Sequence, residues 1–263
     1  MRIVGRDGGL RLVQPATGMD HSERKVAFCA QYLDGVGDVD GFLLKSRSPS
    51  CGIKDTKVYG EGGQIPISGK AAGFFGAAVL QRYGHLAVED ESRLTNDTLR
   101  EHFLTRLYTW ADWRAVRAGG QMGALVAFQA RNKLLLMAYN QTRMRALGRL
   151  VANRDNRPME AVLADYGVEL AAALAAPPRR GASINVLMHA FGCFDDLSAA
   201  EKAYLLDTLQ RYRQERVPLS VPLGIILAWV VRFGQAYLAQ QTFFEAYPED
   251  LITVLDSGKG RDL

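Results

Sequence analysis

The sequence lacks most of the residue patterns that identify chemistry quickly. Its three cysteines, Cys29, Cys51 and Cys193, are odd in number, far apart and without a C-x-x-C pair. That spacing disfavours a disulfide framework and a self-contained zinc site, and it fits a reducing, cytoplasmic compartment. The four histidines, His21, His85, His102 and His189, are scattered without metal-ligand spacing. No apolar core follows Met1, so nothing supports a secretion signal. The longest apolar run, Val217 to Val231, is broken by Pro218 and Pro222 and is too short to span a bilayer comfortably. It reads as a buried helix, and no membrane partner is expected. A net charge of +4 permits an anionic partner without demanding one.

What is present is ample apolar content, 48% of 263 residues, enough for one large or two ordinary domains. One stretch stands out as chemistry. The short apolar run Gly41-Phe42-Leu43-Leu44 ends in Lys45-Ser46-Arg47-Ser48-Pro49-Ser50-Cys51-Gly52, which reads as a buried strand entering a tight loop. Loops at the carboxyl ends of buried strands are where α/β proteins place their sites. Pro49 stiffens the loop and Gly52 lets it turn, so it should present one thiol and three hydroxyls. Cys51 has two open readings: a thiolate favoured by Lys45, Arg47 or Lys54, or a small buried residue in an ordinary turn.

Around this loop the pattern is α/β. Leu10 to Val13 alternates as a strand, and Asp20 with Glu23 can cap a helix reaching Leu33 whose apolar face holds Val26, Cys29, Ala30 and Leu33. Lys57-Val58-Tyr59 and Leu86-Ala87-Val88 are further short strands, and Gly69 to Tyr83 is predicted as a closely packed helix. The layer offers only about three or four strands, against the commoner four to six. Either another element completes the sheet or the domain starts upstream of this chain.

From Asn96 the pattern is helical. Asn96 is a good N-cap, and Leu99, Phe103, Leu107 and Trp110 form one stripe that Gly119-Gly120 ends. A helix from about Met122 to Tyr139 follows, then a short one carrying Met144, Leu147, Leu150 and Val151. Pro158 starts another, Ser183 to Phe194 is helical, and Ser198 with Glu201 makes a capping box ahead of Leu205, Leu209 and Tyr212. The expected organisation is an incomplete small α/β domain over residues 1–92, a connecting helix over 93–120 and an all-α bundle of about seven helices over 121–258.

Two motifs fail on inspection. The glycines at 60, 62, 63 and 69 before Lys70 are misspaced for a phosphate loop, and Ala71 stands where a hydroxyl is needed. Ser22-Glu23-Arg24-Lys25 matches S-x-x-K but lacks the partner motifs. The basic segment Arg131 to Arg157 holds seven cations against Asp155, and Arg143, Arg145 and Arg149 are anion-binding candidates for a nucleic acid or nucleotide. A solvated face is the commoner reading of such a run, since no stacking aromatics accompany it. His189 lies in an apolar helix, where a buried imidazole needs a partner.

On these residues the chain resembles the YbgA-type two-domain bacterial proteins. The stretch Gly41 to Gly52 is similar to the thiouracil desulfidase family of iron-sulfur proteins. Lys133 to Ala138, Leu147 to Val151, Val217 to Leu223 and Tyr237 to Gln241 resemble a helical domain of unassigned function. The resemblance implies a 4Fe-4S cluster held by three cysteines, with an open iron that takes sulfur from a thiolated nucleobase. Cys51 matches the third ligand, and Ser48 matches a serine near the substrate. The family's first two ligands lie in a C-x-x-G loop and a Cys-Pro-Glu loop, neither of which is present, and a proposed acid-base carboxylate goes with the second. Cys29 and Cys193 do not match family ligands. The resemblance therefore implies a desulfidase scaffold that is N-terminally truncated or diverged and inactive in this form. In the helical half, members often carry histidines where this chain has Gln129, Asn132, Tyr139 and Ser183; His189 alone remains.

Overall fold

The protein is described from a computed structural model, which covers residues 1–6, 8–60 and 65–252. The chain divides into two compact units, with the boundary after Ala115. The first is a mixed α/β unit and the second is helical, the fold class expected from the sequence.

In the first unit, β1 (Arg2–Arg6) and β2 (Gly9–Gln14) form an antiparallel hairpin, and β3 (Met19–Asp20) returns beside β2. Ile3, Val4 and Leu12 are buried on it. Helix α1 (Ser22–Gly35) follows, tied to the hairpin because the Leu12 N–H donates to Ser22 Oγ at 2.7 Å. Asp20 accepts from the Ser22 N–H and hydroxyl at 2.8 and 2.6 Å, whereas the expected partnership with Glu23 does not form. Of the predicted apolar face, Cys29 and Leu33 are buried while Val26 and Ala30 face solvent.

Next come β4 (Gly41–Leu44), β5 (Thr56–Tyr59) and β6 (Pro66–Ala71), then α2 (Phe74–Tyr83) and β7 (Ala87–Asp90). The predicted helix from Gly69 is corrected here: residues 66–71 are an edge strand antiparallel to β5, and the helix starts only after Gly73. Pro66 and Gly69 are poor strand formers, so the pairing with β5 overrides local preference. Gly62 and Gly63 of the rejected phosphate pattern lie outside the described residues. The strands form two sheets, one ordered β3-β2-β1-β5-β6 and one a parallel pair β4-β7. Seven strands replace the three or four expected among the described residues.

A 3₁₀ turn at Arg93–Thr95 leads into α3 (Asp97–Gly119), whose start is capped as predicted, the Leu99 N–H donating to Asn96 Oδ1 at 3.1 Å. Phe103 and Trp110 are buried. The helix ends where Gly120 turns left-handed at φ +60°.

The second unit contains α4 (Met122–Arg131), α5 (Lys133–Ala152), α6 (Met159–Ala173), α7 (Arg180–Phe191), α8 (Ala199–Arg213), α9 (Ser220–Phe233) and the short α10 (Ala236–Ala239). The predicted single helix from Met122 to Tyr139 is interrupted at Asn132, and α5 kinks at Asn140 (φ −158°, ψ 99°). Asn140 Oδ1 accepts the Arg143 N–H at 3.1 Å and so restarts the helix as an internal cap. The capping box of Ser198 and Glu201 forms in full, with Leu205, Leu209 and Tyr212 buried behind it. The run containing Pro222 is a helix with one buried face, formed by Pro222, Ile226, Trp229 and Val230. Val231 is 83% exposed, so the expected buried helix is buried only in part; its proline is tolerated in the first turn. Leu134, Leu187, Leu205, Ile226 and Leu238 meet in the core; burying each such side chain contributes ~1.5–3 kcal/mol before entropy.

Candidate functional site

The loop from Lys45 to Gly52 leaves the carboxyl end of β4, and the residues after parallel β7 arrive beside it. Glu91 gathers the loop's start. Its carboxylate accepts from Lys45 Nζ at 2.5 Å, from the Ser46 N–H at 2.7 Å and from Ser46 Oγ at 2.9 Å. The Lys45 ammonium, followed by the Ser46 amide, holds the Glu91 carboxyl down at about 2. Arg47 takes a left-handed conformation (φ 56°), and its N–H donates to Asp55 Oδ1 at 2.9 Å.

Ser48 closes the turn. Its Oγ accepts from the N–H groups of Ser50 and Cys51 at 3.2 and 3.1 Å, and its carbonyl accepts from Gly52 N and Thr56 Oγ1, both at 2.9 Å. With those amides on its lone pairs, the Ser48 hydroxyl proton is what remains to offer a ligand. The loop in turn caps α2: the Pro49 carbonyl accepts from Phe74 N, and the Ser50 carbonyl accepts from Phe75 N and Gly76 N at 2.8 and 3.0 Å. Backbones approach so closely that a Cβ on Gly76 would lie 2.3 Å from the Gly52 carbonyl oxygen. The loop is therefore rigid, as Pro49 and Gly52 predict.

Ser48, Pro49 and Ser50 form one wall of a cavity of about 550 Å³. Met1, Leu12, His21, Arg24, Lys25 and Phe28 complete its lining. Lys25 Nζ sits 4.6 Å above the Phe28 ring, which stacks on Tyr32 with centroids 5.9 Å apart. The cavity thus offers a serine loop, two basic side chains and the aromatic Phe28. Sequence reasoning missed His21, Arg24, Lys25 and Phe28, which become a wall only once α1 is placed against the loop. Glu91 was within reach, since it follows a short strand by the same rule that marked Ser48.

Cys51 does not line that cavity. It packs, half-buried, against the cluster of Leu33, Leu44, Ile53 and Val79. Cys29 is 3% exposed and lines a second, apolar cavity of about 580 Å³ with Leu33, Phe74 and Ala78. Burial pushes the Cys29 thiol up, which suits packing rather than ligation. Among the described residues no three His, Cys, Asp or Glu side chains are placed to hold a metal ion. A cluster held by three thiolates does not fit this donor set, in which the loop contributes Cys51 alone.

In the second unit, Arg143 Nη1 donates to both oxygens of Glu169 at 3.0 Å, while Arg145 and Arg149, one turn apart on α5, are exposed and form no ion pair among the described residues. His189 is exposed on α7, correcting the expectation of a buried imidazole. Asn132 is 1% exposed; its Nδ2 donates to the Phe128 carbonyl at 3.0 Å and its Oδ1 accepts from Thr242 Oγ1 at 2.7 Å. Gln129 Oε1 accepts from the Tyr166 hydroxyl at 2.6 Å, and burial raises that phenol far above its usual range. Ser183 is buried on α7. Asn132 and Gln129 therefore serve internal hydrogen bonds.

Residues 1–91 match the family described as 2-thiouracil desulfurase. Residues 133–248 match the family described as protein of unknown function (DUF1722). The two matches together support a YbgA-type two-domain organisation. The chain is 29% identical over 162 residues to the protein YbgA of Escherichia coli (strain K12), an alignment that covers 61% of this chain and 86% of that relative. No solved structure matches the chain. The YbgA resemblance read from Gly41 to Gly52 and from the helical segments is borne out, and the first domain is desulfidase-like. No helix among the described residues is long and apolar enough to cross a membrane.

Proposed function

We propose that the first domain binds thiolated nucleobases in the cavity beside Ser48, and that the described residues do not turn them over unaided. The observation that carries this reading is the placement of Ser48, on a loop fixed at both ends, in the lining of the same cavity as Arg24 and Lys25. A thiolated pyrimidine is a flat ring whose thioamide ionises more readily than the oxygen analogue. Phe28 supplies apolar lining beside the ring, the two cations favour its anionic form, and Ser48 donates to a ring acceptor. A 4Fe-4S cluster would supply the sulfur-accepting iron. Cys51 is the one loop thiolate available to it, so no desulfuration step is assigned to these residues.

The test joins binding to cluster analysis. Titration calorimetry on the full chain should show 2-thiouracil binding more tightly than uracil, with the preference lost in Ser48→Ala. Equal binding of the two bases would overturn the reading. Anaerobic reconstitution should leave the chain without stoichiometric iron and acid-labile sulfide. A full cluster abolished by Cys51→Ala would overturn the assignment of inactivity.

A second reading rests on Arg145 and Arg149, exposed and unpaired among the described residues: the helical domain binds nucleic acid through its phosphates. Salt-dependent binding whose slope falls in the double alanine variant supports it, and unchanged binding removes it.

A further inference from the structure

The turn that carries Ser48 is fixed partly from outside itself. The Ser48 carbonyl accepts from the Gly52 N–H and from the Thr56 hydroxyl, both at 2.9 Å. A carbonyl oxygen has two lone pairs, so these two donors fill it. The Gly52 bond closes the turn from within. The Thr56 bond comes from the first residue of β5, in the five-stranded sheet, whereas the loop leaves β4 of the two-stranded sheet. One side chain therefore ties the loop of one sheet to a strand of the other.

Burial ranks Thr56 above the carboxylates that also reach this loop. Glu91 accepts the Ser46 N–H at 2.7 Å and Asp55 the Arg47 N–H at 2.9 Å. Their side chains are 38% and 26% exposed, where water competes for the same amides, and both act ahead of Ser48. Thr56 is 2% exposed and bonds Ser48 itself. As a β-branched residue on a strand it has little rotamer freedom, so the backbone of β5 sets the direction of its hydroxyl.

Gly52 leaves the space for this bond. A Cβ at that position would lie 2.1 Å from Thr56 Oγ1 and 2.9 Å from the Ser48 carbonyl oxygen, so any other residue at 52 displaces the hydroxyl. We propose that Thr56 is a positioning residue for the cavity: its hydroxyl fixes the Ser48 backbone and, through it, the place of the Ser48 side chain in the cavity lining. The inference rests on the reading of that cavity as a site for thiolated nucleobases. Thr56 is not part of the lining, so its effect on a bound base passes through Ser48.

Two substitutions that differ by a single oxygen atom test it. Thr56→Ala and Thr56→Ser both lose the methyl group, and only Thr56→Ser keeps the donor. Calorimetric titration of the full chain with 2-thiouracil and with uracil should show the preference for 2-thiouracil reduced about fivefold or more in Thr56→Ala, the equivalent of one hydrogen bond. In Thr56→Ser the preference should stay within about twofold of the wild type, because the bond to Ser48 is kept. The lost methyl is common to both variants, so a packing defect does not account for a change seen in one alone. If Thr56→Ala does not fold, Thr56→Val, which keeps the branched side chain, takes its place in the comparison. A wild-type preference in Thr56→Ala overturns the inference and leaves the cavity reading standing, and so does an equal loss in Thr56→Ser. A wild-type chain that binds the two bases equally removes the cavity reading, and this inference with it.

Discussion

Ser48 Oγ accepts the backbone N–H of Cys51 at 3.1 Å, so the residue that offers a hydroxyl to the cavity also fixes the backbone of the thiol residue. Ser48→Ala removes this bond and the one from Ser50 N, and each lost hydrogen bond costs about 1 kcal/mol when its partner can reach water. Chemical denaturation should register a destabilisation of about 1–2 kcal/mol. Cys51 should also react faster with a thiol reagent, since its loop loses a closure. An unchanged rate would mean that Ser48 does not hold the turn.

The close approach of the loop to α2 separates two glycines. Gly76→Ala places a methyl carbon 2.3 Å from a carbonyl oxygen and should destabilise the first unit by roughly 1–3 kcal/mol through forced backbone shifts. Gly123→Ala, in α4 with open space around it, should instead stabilise by about 0.5–1 kcal/mol. Denaturant midpoints of the two variants should move in opposite directions.

His102 is 8% exposed on α3, and burial, then the Arg106 charge, lowers its pKa to about 4, with Glu89 pulling the other way. Its folded pKa lies below the unfolded value, so the stability it contributes is fully present above pH 6.5 and is lost as pH falls towards 4. Glu91 adds a loss of the same sign at lower pH, between 4.5 and about 2. NMR titration of the imidazole checks the first value. A His102→Gln variant should flatten stability between pH 6.5 and 4.

In the helical unit, Ser198→Ala breaks the capping box and should cost about 1 kcal/mol. Glu201 also pairs with Arg232, so Glu201→Gln should weaken both ends of that connection. Thermal melts of the full chain report the order of the two variants.

The helical half was legible because its signals are local. Ser198 sits three residues before Glu201, Asn96 three before Leu99, and the stripes recur within one helix. The strands β1 and β6 were not legible. Arg2–Arg6 is short and flanked by arginines, and Pro66–Ala71 contains two strand-averse residues; both exist because neighbouring strands pair with them, β2 and the more distant β5 with β1, and β5 with β6. The site split the same way. Ser48 and Cys51 were marked by their own loop, whereas Arg24, Lys25 and Phe28 look like an ordinary helix surface until Ser48 joins them in one cavity lining. The interruption at Asn132 was hidden because its cause is Thr242, a contact made across the unit's fold.

Arg106 donates through Nη2 to the carbonyls of Gly84, His85 and Leu86, tying the connection between α2 and β7 to a position on α3. The consequence is a single point of attachment. One side chain on α3 thereby pins three consecutive carbonyls of the α2–β7 connection, so losing the Arg106 guanidinium would release that connection as a unit rather than one bond at a time.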